Sequence, residues 1–105
     1  MVLREVGRMV KIRKIAGSAG RSLEFSLNAG GGHTVALAGS FNDWDPALAP
    51  MMDPDGCGVY RCRVTVSPGS YEYKFVVDDE WLLDDDNPNF ASNDFGTLNS
   101  VVVVD

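Results

Sequence analysis

The sequence predicts an all-β domain: an antiparallel β-sandwich of immunoglobulin-like size with six to seven short strands. Three observations carry that prediction. Apolar and polar residues alternate in several short runs, the period of a half-buried strand. Glycine- and proline-containing turn signals separate those runs at close intervals. No convincing helical pattern interrupts them after residue 21.

The elements follow in order. Residues 22–28 alternate, with Leu23, Phe25 and Leu27 on one face and Ser22, Glu24 and Ser26 on the other. Gly30, Gly31 and Gly32 then permit a tight reversal into a strand over 34–38. Asp53-Pro54-Asp55-Gly56 reads as a turn in which proline sets φ and glycine accepts a positive one. The next strand points Tyr60, Cys62, Val64 and Val66 inward, with Arg61 and Arg63 outward. Pro68-Gly69 turns the chain into 71–77, where Tyr71, Tyr73, Phe75 and Val77 share a face opposite Glu72 and Lys74. Asp78-Asp79 turns it again into 81–83, and 101–104 is the last strand. The Cys…Trp…Cys framework of a true immunoglobulin domain is missing.

At 105 residues the chain is one domain by size, with no room for a catalytic domain beside an appended module. Its charge is uneven. Residues 1–21 carry six Lys/Arg against Glu5, a net of +5, and residues 22–105 carry three against fourteen acids, a net of −11. This divides the chain into a basic arm over 1–16, a flexible joint over 17–22 and an acidic body over 22–105. In the arm Val2, Val6, Met9 and Ala16 sit near helical spacing, while Val10 and Ile12 alternate with Lys11 and Arg13 as in a strand. Both readings stay open there. The arm either packs on its own acidic body or frays, or it docks on a membrane surface or a partner groove.

The total of −6 argues against nucleic acid as a partner, since phosphates would be repelled over most of the surface. No apolar stretch approaches the ~18–20 residues of a membrane span, and the charged N-terminus lacks the apolar run of a secretory signal. Cys57 and Cys62, five residues apart in one expected strand, lie too far apart for a disulfide. Two free thiols suit a reducing compartment, so the expected location is the cytoplasm. His33 is the one histidine, which removes most metal sites and the Ser-His and Cys-His dyads unless that residue serves. It follows three glycines and reads as a solvated loop residue. No cofactor and no metal is expected.

Function in a sandwich sits on loops and on one open sheet face. Two tryptophans fall outside the alternating core pattern: Trp44, in the loop Gly39-Ser40-Phe41-Asn42-Asp43-Trp44-Asp45-Pro46, and Trp81, just after an acidic turn. Lys74 points away from the tyrosine-lined face of the strand between them. Residues 93–99 add an amide and a hydroxyl beside the ring of Phe95. Flat rings, an ammonium and neutral hydrogen-bonding groups are what a sugar requires. The C–H face of glucose packs on an indole, and its hydroxyls need fixed donors and acceptors. Both tryptophans could equally be packing residues, and Lys74 could pair with an acid across the strand. Phe41 reads as a loop anchor, Gly39 as a backbone-geometry residue, and Asn42 and Asp45 as ties within the turn.

The residues also carry a resemblance. The run Val35-Ala36-Leu37-Ala38-Gly39-Ser40-Phe41-Asn42-Asp43-Trp44, then Tyr71-Glu72-Tyr73-Lys74-Phe75-Val76-Val77-Asp78 with Trp81, then Gly96-Thr97-Leu98-Asn99-Ser100 is similar to the glycogen-binding carbohydrate-binding module family. That family spans the AMP-activated protein kinase β-subunit and isoamylase N-terminal domain types. The match covers about residues 34–104, with all three pieces in order. It implies an immunoglobulin-like sandwich of the early-set type that binds α-1,4-linked glucan and performs no catalysis. It implies stacking on Trp44 and Trp81 and hydroxyl contacts from Lys74, Thr97 and Asn99. Phe95 stands where the kinase module has a leucine that pushes against bound sugar. The implied partners are an α-glucan and a glycogen-metabolism enzyme or kinase subunit.

Rival readings remain. Asp78, Asp79, Glu80, Asp84, Asp85, Asp86 and Asp94 could suggest calcium, but the EF-hand spacing is absent and solvated loop charge is the better reading. A glycosidase needs two carboxylates across a cleft, and so short a sandwich supplies no deep one. The strongest alternative is a non-binding scaffold that recruits a partner protein through the basic arm or the final strand.

Overall fold

Alternation in the sequence becomes two packed antiparallel sheets. The computed structural model describes residues 9–14, 20–85 and 87–105. Nine strands run in order through the described residues: β1 (Met9–Lys14), β2 (Arg21–Asn28), β3 (Val35–Gly39), β4 (Pro50–Met51), β5 (Val59–Val66), β6 (Gly69–Val77), β7 (Glu80–Leu82), β8 (Phe90–Ser92) and β9 (Leu98–Val104). One sheet has the order β1-β2-β5; the other has β4-β3-β6-β9-β8, with β7 paired to β6. The fold is the all-β sandwich that the alternation predicts.

The expected inward faces form the core. Leu23, Phe25 and Leu27 of β2 meet Leu37, Tyr73, Phe75, Val102 and Val104 of the other sheet, all buried. Phe25 and Tyr73 join the layers edge to face, with ring centroids 4.9 Å apart. Burying a phenylalanine-sized side chain contributes roughly 1.5–3 kcal/mol, and an aromatic pair about 0.5–1.5 kcal/mol more. Tyr60 and Val66 complete the layer from β5, with Arg61 and Arg63 exposed on its other face.

Turn chemistry sets the register. The amide of Gly56 donates to the Asp53 carbonyl at 3.1 Å, and Gly56 has φ of 68°. Asp78 and Asp79 link β6 to β7 with φ of 50° and 70°. Two left-handed residues make the turn whose twist matches that of the paired strands. Val77 therefore faces Glu80, and Val76 faces Trp81.

The strand count and the place of Cys57 differ from expectation, while the strand reading of 9–14 and the free thiols hold. The strand count exceeds six to seven because β4 and β8 are too short to show a period. Backbone 9–14 is a strand against β2, Met9 opposite Ser26 and Lys14 opposite Arg21. Val2, Val6 and Ala16, and residues 17–19 of the expected joint, lie outside the described residues, as does Asp86. Cys57 sits in the turn before β5 rather than in the strand, and both cysteines are free thiols. Burial pushes the Cys62 thiol up to about 12.

His33 is the exposed loop residue expected, though tied down, and Asp84 is buried rather than solvated. His33 Nδ1 lies 2.6 Å from Asp78 Oδ2, and the Thr34 amide donates to Asp78 Oδ1 at 2.9 Å. The Thr34 bond, with His33 second, holds the Asp78 carboxyl below its usual range. Asp84 is 1% exposed, its Oδ2 accepting from the Tyr73 hydroxyl at 2.6 Å and its amide donating to Ser100 Oγ at 2.9 Å. Burial, with the Asp84 bond second, raises the Tyr73 phenol. This pair ties the segment after β7 to the sandwich interior.

Candidate carbohydrate-binding site

Three segments bring the candidate residues to the face of the larger sheet turned away from the core. The first is the loop between β3 and a short 3-10 turn (Pro46–Leu48). Asn42 Oδ1 accepts from the Gly39 amide at 3.0 Å, and Asn42 Nδ2 donates to the Leu37 carbonyl at 3.2 Å. Asp45 Oδ1 accepts from the Ala47 amide at 3.0 Å. Asn42 and Asp45 are therefore ties within the loop. Asp43 and Trp44 both take left-handed backbone, φ 57° and 60°. Such strain costs on the order of 1–3 kcal/mol and persists only when neighbours enforce it. Here the Trp44 amide donates to the Gly39 carbonyl at 2.9 Å, closing the loop.

Gly39 matters for space, not for dihedral freedom. A Cβ there would meet Phe41 Cζ at 2.6 Å and the Glu72 carbonyl oxygen at 2.7 Å. The Phe41 ring lies against Gly39 and reaches Phe25 and Tyr71 at centroid distances of 5.8 and 6.2 Å. Phe41 is thus the anchor of the loop that carries Trp44.

The second segment is the β6–β7 hairpin. Alternation along β6 sends Tyr73 and Phe75 inward and leaves Glu72 and Lys74 on the outer face. Trp81, 45% exposed, pairs with Val76 of the same face. The third is the β8–β9 connection. Asn93 Oδ1 accepts from the amides of Phe95 at 2.9 Å and Thr97 at 3.1 Å, and the Asn93 amide donates to the Thr97 carbonyl at 3.0 Å. That loop lifts the Phe95 ring into solvent, 89% exposed.

The three segments meet in one depression of about 580 Å³, lined by Trp44, Lys74, Trp81, Phe95, Thr97 and Asn99 together with Ser40, Glu72, Ser92, Asn93 and Asp94. All six residues singled out in the sequence are brought together. Glu72 and Asn93 are additions that the sequence reading did not single out. An Asx-type turn signal in Asn93-Asp94-Phe95-Gly96 could have found Asn93, and the outward alternation beside Lys74 could have found Glu72.

A hydrogen-bond chain crosses the floor. Lys74 Nζ donates to Thr97 Oγ1 at 3.1 Å, and Asn93 Nδ2 donates to the same oxygen at 2.7 Å. Asn93 Nδ2 also donates to Asn99 Oδ1 at 3.1 Å, and Asn99 Nδ2 donates to Glu72 Oε1 at 2.9 Å. With two donors on Oγ1, the Thr97 hydroxyl proton is left to point elsewhere. Lys74 pairs with a hydroxyl, not with an acid. The depression offers two half-exposed or exposed rings, a third ring at the rim, and polar groups already oriented by one another. A flat, hydroxylated ligand fits that combination, with apolar faces on rings and hydroxyls on the fixed groups.

Comparison with known proteins supplies the family. Residues 23–105 match the family described as the glycogen recognition site of AMP-activated protein kinase. A 5'-AMP-activated protein kinase subunit beta-1 of Sus scrofa is 32% identical over 75 residues, covering 71% of this chain and 57% of that protein. The Bos taurus subunit beta-1 is 33% identical over 75 residues, 71% of this chain and 26% of its own. The SNF1 protein kinase subunit beta-2 of Saccharomyces cerevisiae is 28% identical over 74 residues, 70% of this chain and 18% of its own. The matched region thus spans just over half the length of one of these relatives and about a quarter and a fifth of the other two. The chain belongs to the glycogen-recognition family of AMP-activated protein kinase.

Proposed function

We propose that this chain is a non-catalytic module that binds α-1,4-linked glucan (glycogen, starch or a maltooligosaccharide) in the depression around Lys74. Trp44 and Trp81 stack on glucose rings, Phe95 presses on the bound chain from the rim, and Lys74, Thr97 and Asn99 bond its hydroxyls. The observation that carries this reading is the convergence of all six residues on one face, with their polar members already linked through Asn93. Membership of a glycogen-recognition family also supports it.

Stacking and hydroxyl bonds in a shallow groove give modest affinity, on the order of 10 µM to 1 mM for an oligosaccharide. The test is titration with maltoheptaose, followed by tryptophan fluorescence, with a cello-oligosaccharide as control. A saturable change with the α-linked sugar alone supports the reading. No response at several-fold above ~1 mM from a folded protein overturns it.

The relatives are named as kinase subunits, so a kinase subunit or glycogen-metabolism enzyme is the partner this reading proposes. Attachment of that partner to glucan would be the module's task, in the cytoplasm. No described helix is long and apolar enough to cross a membrane. The proposed division is a basic arm over 1–16 and a glucan-binding sandwich over 22–105, with β1 as the part of the arm laid along β2. That position, at the outer edge of the β1-β2-β5 sheet, favours a second role for the arm in holding a partner.

A further inference from the structure

We infer that Glu72 makes the depression selective for uncharged glucan, so that chains carrying phosphate monoesters are discriminated against. This rests on the glucan reading above and adds a substrate class to it.

Acids outnumber cations around the site. Glu72 and Asp94 line the depression, and Lys74 is the cation among the lining residues. Lys74 is engaged with Thr97 at 3.1 Å. Asp43 and Asp45 flank Trp44 in sequence, and Glu80 precedes Trp81, all three exposed. Every arginine within the described residues belongs to β1, β2 or β5, in the opposite sheet.

Glu72 is held in place. Its amide donates to Ser40 Oγ at 3.1 Å and its carbonyl accepts from the Ser40 amide at 2.9 Å. Oε1 accepts from Asn99 at 2.9 Å. Oε2 takes no hydrogen bond from the described residues and is left to the ligand. An ionised carboxylate only accepts, so a sugar hydroxyl suits it as a donor. A phosphate monoester brings a charge of about −1.5 to −2 and further acceptors. One like-charge pair about 4 Å apart in a water-like dielectric weakens binding roughly five-fold. A phosphate on a glucose seated on the Glu72 side of the depression meets that repulsion from a carboxylate that Asn99 holds in place.

The test compares maltoheptaose with the same oligosaccharide carrying a 6-phosphate, by calorimetry, and reads the ratio of the two dissociation constants. In the unmodified chain the phosphorylated sugar binds at least about five-fold more weakly near 0.01 M ionic strength. The ratio shrinks toward about 1 M, as the screening length falls from about 30 to about 3 Å. Glu72→Gln, whose amide oxygen can still accept from Asn99, lowers the ratio severalfold. Asp55→Asn, which removes one negative charge in the distant turn before β5, leaves it unchanged. Equal affinities in the unmodified chain overturn the inference while leaving the glucan reading intact. So does a ratio that ignores salt, that survives Glu72→Gln, or that falls equally with Asp55→Asn. Failure to bind either sugar overturns the glucan reading, and this inference with it.

Discussion

The Lys74 ammonium donates to the Thr97 hydroxyl across 3.1 Å, joining the middle of β6 to the loop that enters β9. Neither residue is set by the other alone. Asn93 supplies the second donor to Thr97 and also fixes the Thr97 amide, so the loop and the floor of the depression form one bonded unit. A site organised this way loses little freedom when a ligand arrives, which is how a shallow groove reaches useful affinity.

Asn93 is a positioning residue, because its side chain spends both donors and its acceptor inside the protein. Asn93→Asp keeps an oxygen for the Phe95 and Thr97 amides but replaces the donor facing Thr97 with an acceptor. The expected result is a folded loop, with both amides still protected from hydrogen exchange, and about ten-fold weaker maltoheptaose binding, equivalent to about 1.4 kcal/mol. Asn93→Ala should lose protection and affinity together.

Gly39→Ala forces a methyl group against the Phe41 ring and the Glu72 carbonyl. Overpacking of this kind costs about 1–3 kcal/mol. A lowered urea midpoint and a shifted Trp44 emission are expected, because Phe41 anchors the loop that carries that indole.

Tyr73→Phe leaves the buried Asp84 carboxylate without its 2.6 Å bond to the phenol. Loss of such a partner costs about 1–3 kcal/mol, measurable by equilibrium unfolding. Asn87 also donates to that phenol at 3.1 Å, so the segment leading to β8 should loosen in hydrogen exchange as well.

Asp78 has its carboxyl pulled down by the Thr34 amide and by His33. A depressed carboxyl stabilises the fold above its unfolded-state value, ~3.9, and that contribution is lost as pH falls through the lower folded value. The stability gap between the unmodified chain and Asp78→Asn should therefore be largest near neutral pH and close below about pH 4. Urea unfolding across that range checks it. A gap that widens in acid would contradict the assignment.

The long strands were legible because β2, β5 and β6 each send alternate apolar residues into the core, a pattern that survives translation into sequence. β4 and β8 were not, since two or three residues cannot show a period and tertiary pairing decides them. That the six candidate residues share one depression was legible through outward alternation, stray tryptophans and family resemblance together. His33 is exposed as expected but tied down, and Asp84 is buried where the sequence reads solvated charge, for one shared reason. Their partners, Asp78 and Tyr73, are distant in sequence, and polar residues look alike until the fold supplies a neighbour. Gly39 was singled out for its backbone, yet what it provides is room beside Phe41, which only three-dimensional packing reveals.

The central claim is that one face, and not another, receives an α-glucan. Backbone and indole NMR shifts during a maltoheptaose titration test it most directly. The account predicts saturable movement of the Trp44 and Trp81 indole N–H signals and of the amides from Asn93 to Asn99, lost in Trp44→Ala or Trp81→Ala proteins that remain folded. Movement confined to Met52 and β5, or no movement in a folded protein, would contradict it and leave a scaffold of the same fold.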